Sequence, residues 1–308
     1  MRAWRFHEYG GAERMRWEEL SVPVPGEGQI LVKLTAASVN PVDWKIREGW
    51  LAKAFPMSLP RTLGRDGAGT IVTLGAAVDG FAVGDRVAGV TTPGMDGTHA
   101  EYAVLAAAAC APLPAGIDLE AAATLGIAGL SAYIPLVEDA KLARGQTVLV
   151  HAGAGGVGGF AVQLAHHLGA HVIATCGPAN ADYVRALGAD EVLDYTRAPL
   201  ETLAARCDCV LDSIGGEVHN RSFVALKPGG IMVSLSAAPI PTAERRTDVR
   251  SIQSMIRPTR ARLESLAALV AAGAVTPQIT RTLPLESARE AYDESQKGHT
   301  RGKIVLVA

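Results

Sequence analysis

Two stretches of the chain carry residue types whose spacing can do chemistry. Gly153, Gly155 and Gly158 fit G-x-G-x-x-G directly after an apolar run, 147–151. That run reads as a short buried strand. Val157, Phe160, Ala161, Leu164 and Leu168 follow at helical spacing, Gly169 stops the helix, and 171–175 reads as the next strand. Strand, glycine turn, helix, strand is the order of a dinucleotide-binding unit. The glycines let backbone approach a pyrophosphate, and the helix start supplies unpaired N–H groups and a positive dipole end. The bland alternative is a tight turn in an α/β domain with no ligand. The turn's own residues, Gly153, Gly155, Gly156, Val157 and Gly158, are the first candidate cofactor contacts. The second stretch is Asn40-Pro41-Val42-Asp43-Trp44-Lys45-Ile46-Arg47. Pro41 suits a first helical position and Asn40 its cap. Its polar side chains either form a solvated face or line a substrate cleft. A third stretch, Gly64-Arg65-Asp66-Gly67-Ala68-Gly69, implies tight turns. There Arg65 and Asp66 are better read as pairing with neighbours than as catalysts.

The elements that must position these residues fall into two patterns. Before about residue 118 short strand signals follow one another, at 2–7, 29–36, 69–74, 85–90 and 101–105, separated by turns rich in Gly and Pro. That pattern suits a compact barrel-like β domain. After a helical stretch at 121–137, weakened by Gly126 and Gly129, strands and helices alternate. Strands read at 147–151, 171–175, 191–194, 209–213 and 230–236, which predicts a parallel sheet covered on both faces. Residues 251–256 are an edge strand or a helix leading to one. A helix at 260–272 follows, then a strand at 278–283, a helix at 285–296 and a strand at 302–307.

Composition narrows the function classes. The 308 residues are 48% hydrophobic and 19% charged with a formal net charge of -2, so no basic face favours nucleic acid. No apolar run is long enough to span a membrane, and the first residues lack a secretion signal. The cysteines, Cys110, Cys176, Cys207 and Cys209, form no secreted-type framework. A cytoplasmic setting is the expectation.

Taken together, PVPGEGQILVKLTAASVNPVDWKIREG, LGRDGAGTIVTLGAAVDGFAVGDRV, HAGAGGVGGFAVQLAHHLGAHVIAT, YVRALGADEVLDY and GHTRGKIVLV resemble the medium-chain dehydrogenase/reductase superfamily. Within it the chain is similar to the zinc-independent quinone oxidoreductase branch. The resemblance implies an α/β fold in which a Rossmann-type nucleotide-binding domain, 119–272, is inserted in a GroES-like β-barrel catalytic domain, 1–118 and 273–308. The zinc enzymes of the superfamily carry a cysteine and a Gly-His-Glu where this chain has 38–43 and Gly64-Arg65-Asp66. His99 and Asp66 alone cannot supply three or four converging ligands, so no metal site is expected.

The resemblance also implies roles. Asn40 is expected near the nicotinamide ribose or ring, Ser131 beneath the ring, and Ser213 and Ser236 at strand ends on the nicotinamide side. Lys303 is a candidate polar contact at the cofactor edge. Asn40, Asp43 and Lys45 form the candidate catalytic set. Lys45 serves as proton donor or binding group, and it either pairs with Asp43 or faces away from it, since positions two apart do not share a helical face. The second strand ends Ala174-Thr175-Cys176-Gly177 without the carboxylate that favours NAD. Thr175, Asn180 and Tyr183 are placed to hold a 2′-phosphate, so NADPH is the expected cofactor. The expected activity is reduction of quinones or enones by hydride transfer without zinc. The rivals are a nucleotide-binding redox sensor or structural protein with little turnover, and a narrow enoyl reductase. The expected partners are a small quinone or enone substrate and a second copy in a homodimer that pairs an edge near 251–256, with no nucleic acid and no membrane.

Overall fold

The computed structural model describes residues 1–53, 56–235 and 246–308. In chain order its strands are β1 (Arg2–Phe6), β2 (Met15–Glu19), β3 (Gln29–Val39), β4 (Arg61–Thr62), β5 (Asp66–Leu74), β6 (Arg86–Val90), β7 (Tyr102–Ala106) and β8 (Cys110–Pro112). They continue as β9 (Thr147–Val150), β10 (His171–Cys176), β11 (Glu191–Asp194), β12 (Cys207–Asp212), β13 (Leu226–Ser234), β14 (Arg250–Gln253), β15 (Ile279–Pro284) and β16 (Lys303–Val307). The α-helices are α1 (Pro41–Arg47), α2 (Leu119–Ala122), α3 (Leu130–Tyr133), α4 (Gly156–His167), α5 (Ala181–Ala186), α6 (Gly216–Ser222), α7 (Arg260–Ala271) and α8 (Ala288–Lys297).

Contacts divide the chain into two compact units, Met1–Leu130 with Arg257–Gly273 and Pro277–Ala308, and Ser131–Ile256 with Ala274–Thr276. The sequence put these boundaries after 118 and 272. The difference at 119–130 and at α7 has a packing cause: α7 lies on β8 and on the π-helical turn Leu125–Gly129, and α2 lies on β3 and β5.

The first unit is built on a sheet ordered β15-β16-β3-β5-β6-β8, with β7 also paired to β3, and a small sheet β2-β1-β4. Along β3, Ile30, Val32 and Leu34 are buried while Lys33 and Thr35 face solvent, the alternation of a strand wrapped on a core. Ile71, Val87, Ala103, Leu105 and Cys110 close that core. A second core gathers Trp4, Phe6, Met15, Leu63, Leu285 and Tyr292. Strand β2 escaped the sequence reading because only Met15 of its five residues is buried.

The second unit holds a parallel six-stranded sheet ordered β11-β10-β9-β12-β13-β14. The order reverses between β9 and β12, the switch point at which such sheets bind ligands beyond their carboxyl ends. The helical stretch weakened by two glycines is neither one helix nor a loop. It winds as α2, a π-helical turn Leu125–Gly129, α3 and a second π-helical turn Ile134–Asp139.

Candidate active site

The register of the first unit brings distant polar residues to one sheet end. β3 lies between β16 and β5, so Val39 opposes Ile304 and Ala37 opposes Gly67. Ser38, Asn40, Asp66 and Lys303 therefore meet, although Asn40 and Lys303 are 263 positions apart. Lys303 Nζ donates to Asn40 Oδ1 at 2.6 Å and to the Val39 carbonyl at 2.8 Å. Asn40 Nδ2 donates to Asp66 Oδ1 at 2.8 Å, and the Ser38 hydroxyl donates to the same oxygen at 2.7 Å. Asp66 Oδ2 accepts the Ile127 N–H at 2.7 Å. Gly126 permits that approach, because a Cβ there would stand 2.7 Å from Asp66 Cβ. The π-helical winding thus serves a buried carboxylate.

Helix α1 starts at this cluster. Asn40 has extended backbone (φ -124°, ψ 148°), and Asp43 reaches back so that its Oδ2 accepts the Asn40 N–H at 2.8 Å. Asp43 Oδ1 is buried without a hydrogen-bond partner. Asn40 and Asp43, expected to line a cleft, lie beneath the surface at 2% and 1% exposure. Lys45 is half-buried, with its ammonium 5.4 Å from the centre of the Trp44 ring. The pairing of Asp43 with Lys45 is not formed: Asp43 turns to Asn40 and Lys45 lies over Trp44, as helical geometry requires for positions two apart. Trp44 in turn meets Trp50 edge-on at 5.2 Å.

Burial governs the charges of this cluster. It pushes the Asp43 carboxyl up to about 7, and the neighbouring Asp66 charge adds to the effect, while the Asn40 N–H, Arg65 and Lys303 oppose it. Burial also raises Asp66 and lowers Lys303, each opposed first by the attraction of the other. One ammonium among two buried carboxyls favours a proton on Asp43 near neutrality. His99 is held neutral, lowered to about 4 by burial, with Nε2 at 3.2 Å from the Ser38 carbonyl and Nδ1 at 3.1 Å from the Tyr292 hydroxyl. Both its ring nitrogens are engaged. Among the described residues no group of three or more His, Cys, Asp or Glu is arranged to hold a metal ion.

In the second unit the three glycines of the turn have different reasons. A Cβ on Gly153 would meet Ala174 Cβ at 2.9 Å, and one on Gly158 would stand 2.0 Å from the Ala152 carbonyl oxygen. Packing within the chain demands glycine at both. At Gly155 the nearest atom is 3.4 Å away, ordinary contact, so the protein alone would accept a side chain there. Glycine at that position makes sense for a group lying against the turn. Gly155 caps α4 without a side-chain bond, which leaves the N–H groups of Gly156, Val157 and Gly158 without intrahelical acceptors. The cradle therefore fits a pyrophosphate.

Thr175 is buried, and its hydroxyl accepts the Ala152 N–H at 3.1 Å and lies 3.2 Å from His151 Nδ1. Expected at a ribose phosphate, it instead holds the glycine turn to β10. Asn180 precedes α5 and Tyr183 stands half-buried on it. Ser213 follows β12, its hydroxyl 3.4 Å from the His151 carbonyl, and Ser131 is buried on α3. Ser236 lies outside the described residues. Lys303, expected at a cofactor edge, is buried in the first unit's cluster at 4% exposure.

Sequence reasoning missed two groups here. At the end of β12, Asp212 accepts the N–H groups of Ile214 and Gly215 and binds His219 Nδ1 at 2.8 Å, beside a His151–Ser222 bond of 2.7 Å. Parallel pairing also sets Cys176 opposite Asp194, which brings the β11 end beside the β10 end. Asp194 is bonded to Thr196 and lies 3.7 Å from Arg197, and the Tyr195 hydroxyl approaches Gly177. A strand-order argument could have found this second group, since the β11 end must lie next to the β10 end.

With that geometry in view, the comparisons are specific. Residues 26–115 match the alcohol dehydrogenase GroES-like domain, and residues 187–306 match the zinc-binding dehydrogenase family. The chain is 34% identical to the chloroplast envelope quinone oxidoreductase homolog of Arabidopsis thaliana, over 99% of this chain and 98% of that protein. It is also 34% identical to an NADPH-dependent alkenal/one oxidoreductase, chloroplastic, from the same plant, over 99% of this chain and 79% of that one. The Escherichia coli quinone oxidoreductase complexed with NADPH superposes with a TM-score of 0.91 at 27% identity, over the full length of both chains. The chain belongs to the medium-chain dehydrogenase/reductase superfamily, in its zinc-independent quinone-oxidoreductase-like branch. The comparisons correct one expectation. Two of these relatives are chloroplast proteins, which points away from the cytoplasmic setting expected from the sequence.

Proposed function

We propose that this chain catalyses NADPH-dependent two-electron reduction of quinones and of the activated C=C bonds of enones, by hydride transfer without zinc. The observation that carries the reading is the polar core at the end of β3. Where a zinc enzyme of the superfamily needs a thiolate and an imidazole, this chain has residues 38–43 and Gly64-Arg65-Asp66. Ser38, Asn40 and Asp66 there are bonded to one another, and Lys303 completes the set. A zinc ion serves to polarise an isolated carbonyl or alcohol oxygen. A quinone or enone is already conjugated, and charge from an incoming hydride spreads onto its oxygen.

NADPH, when bound, supplies the hydride. The first turn of α4 holds the pyrophosphate by its free N–H groups. Asn180 and Tyr183, and Arg197 beyond the β11 end, serve the 2′-phosphate side, where β10 ends without a carboxylate of its own. Ser131, Ser213 and Ser236 remain the candidates for the nicotinamide side. Lys45 gives the substrate oxygen a hydrogen bond and, for an enone, a proton. Asn40 and Asp43 hold the segment that carries it. Hydride plus one proton, from Lys45 or water, yields a hydroquinone or a saturated ketone. The substrates and cofactor in the relatives' names support the same assignment. The test is NADPH oxidation across a benzoquinone, a naphthoquinone, a linear enone and simple aldehydes. Turnover confined to quinones and enones is the expected outcome. Tight NADPH binding with no oxidation of any of them would leave a nucleotide-binding sensor instead.

A homodimer is part of the proposal. Among the described residues β14 pairs only with β13, so its outer edge is open to a second copy. Light scattering over a range of concentrations decides it, and a persistent species near the 32.1 kDa of one chain refutes it.

A further inference from the structure

We infer that Lys303 is a positioning residue: its ammonium fixes Asn40, and through Asn40 the start of α1, so that Lys45 keeps one orientation. The inference rests on the reading that Lys45 serves the substrate. Both hydrogen bonds of the Lys303 ammonium end where β3 gives way to α1, on the Val39 carbonyl and on Asn40 Oδ1. The other end of the same amide is held by Asp66, and the Asn40 N–H by Asp43. Asn40 is thus gripped by groups from three elements, β16, β5 and α1 itself. A grip of this kind exceeds what the fold needs, since a buried ionic cluster contributes little net stability compared with well-packed apolar residues. It does fix direction. Lys45 lies on the second turn of a seven-residue helix whose first residue is Pro41, so a rotation at Asn40 carries the Lys45 ammonium with it.

The test separates positioning from charge balance. Lys303→Met alone leaves Asp66 as a buried charge without its ammonium, and it can fail to fold for that reason. Lys303→Met combined with Asp66→Asn removes both charges. An amide at 66 sets an NH2 group against a buried donor that Asp66 now accepts, so the paired variant is expected to unfold at a lower temperature than wild type while binding NADPH with wild-type affinity, and Asp66→Asn alone is the control that carries the amide without the loss of the ammonium. Amide hydrogen exchange at residues 43–47 of the cofactor-free protein is expected to speed up roughly tenfold. kcat with an enone is expected to fall roughly tenfold, and adding Lys45→Met is expected to bring the loss to that of Lys45→Met alone and no further. Wild-type exchange together with wild-type kcat in the paired variant would reduce Lys303 to a charge partner. A fall in kcat with unchanged exchange would mean that Lys303 acts by another route, and the inference would fail. Lys45→Met alone decides the underlying reading. If that variant turns over like wild type, the substrate role of Lys45 is lost and the inference goes with it.

Discussion

Among the ionisable and hydrogen-bonding side chains described for residues 38–47, Ser38, Asn40, Asp43 and Arg47 bond to the chain itself, and Lys45 makes only its ring contact. Asn40, Asp43 and Ser38 hold the strand end and the helix start, whereas Lys45 is half-buried over Trp44. Lys45→Met is therefore expected to lower kcat/KM for a poor enone by roughly a hundredfold, in the range of general-acid effects, and for a good quinone by much less. Steady-state kinetics on both substrates check this, and equal small losses would remove the acid role. Asp43 makes a separate prediction. Its carboxyl is pushed up to about 7 in the folded chain from an ordinary 3.8. Between those values the folded state binds a proton that the unfolded state releases, so stability falls as pH rises through the window. Asp43→Asn removes this contribution, and the loss of stability from pH 5 to pH 8 should shrink by on the order of 2 kcal/mol. Denaturant unfolding at both pH values measures it, and an unchanged slope in the variant would show that Asp43 does not carry the titration.

At the scale of elements the glycine unit was legible because its signals are local: an apolar run, three glycines and a helical stripe lie within some thirty positions. The cap of α1 was legible for the same reason, since Asn40, Pro41 and Asp43 are neighbours. The bonds of Lys303 and Asp66 to Asn40 were not, because only the register of β16, β3 and β5 brings them together. Nor were the π-helical turns, the first of which holds the close approach of Gly126 to Asp66, or the Asp212–His219 pair. The turn itself allows a sharp comparison. Gly155→Ala meets no close atom and should cost at most about 1 kcal/mol as a poorer cap, while weakening NADPH binding severely. Gly158→Ala would set a Cβ 2.0 Å from backbone oxygen and should destabilise the fold itself by roughly 2 kcal/mol or more. Thermal unfolding and NADPH titration of the two variants separate a ligand-facing glycine from a packing one. Equal stability losses would erase the distinction.

For the whole molecule, a barrel-forming β unit and a parallel six-stranded sheet could be read from the spacing of strands and turns, because short strands with Gly and Pro turns and alternating strands and helices leave different patterns. The allegiance of α7 could not, since its amphipathic face fits either unit and contact with β8 decides it. Nor does composition carry an address, as the chloroplast relatives show. The proposed reaction needs a glycine cradle for NADPH, which the second unit holds, and a substrate segment without metal ligands, which the first unit holds. The measurement that tests it most directly is kcat/KM for a benzoquinone with NADPH and with NADH, using enzyme dialysed against a strong chelator and assayed for residual metal. The expected result is unchanged turnover in metal-free enzyme and a clear preference for NADPH. Turnover that disappears with the chelator and returns with zinc would contradict the account.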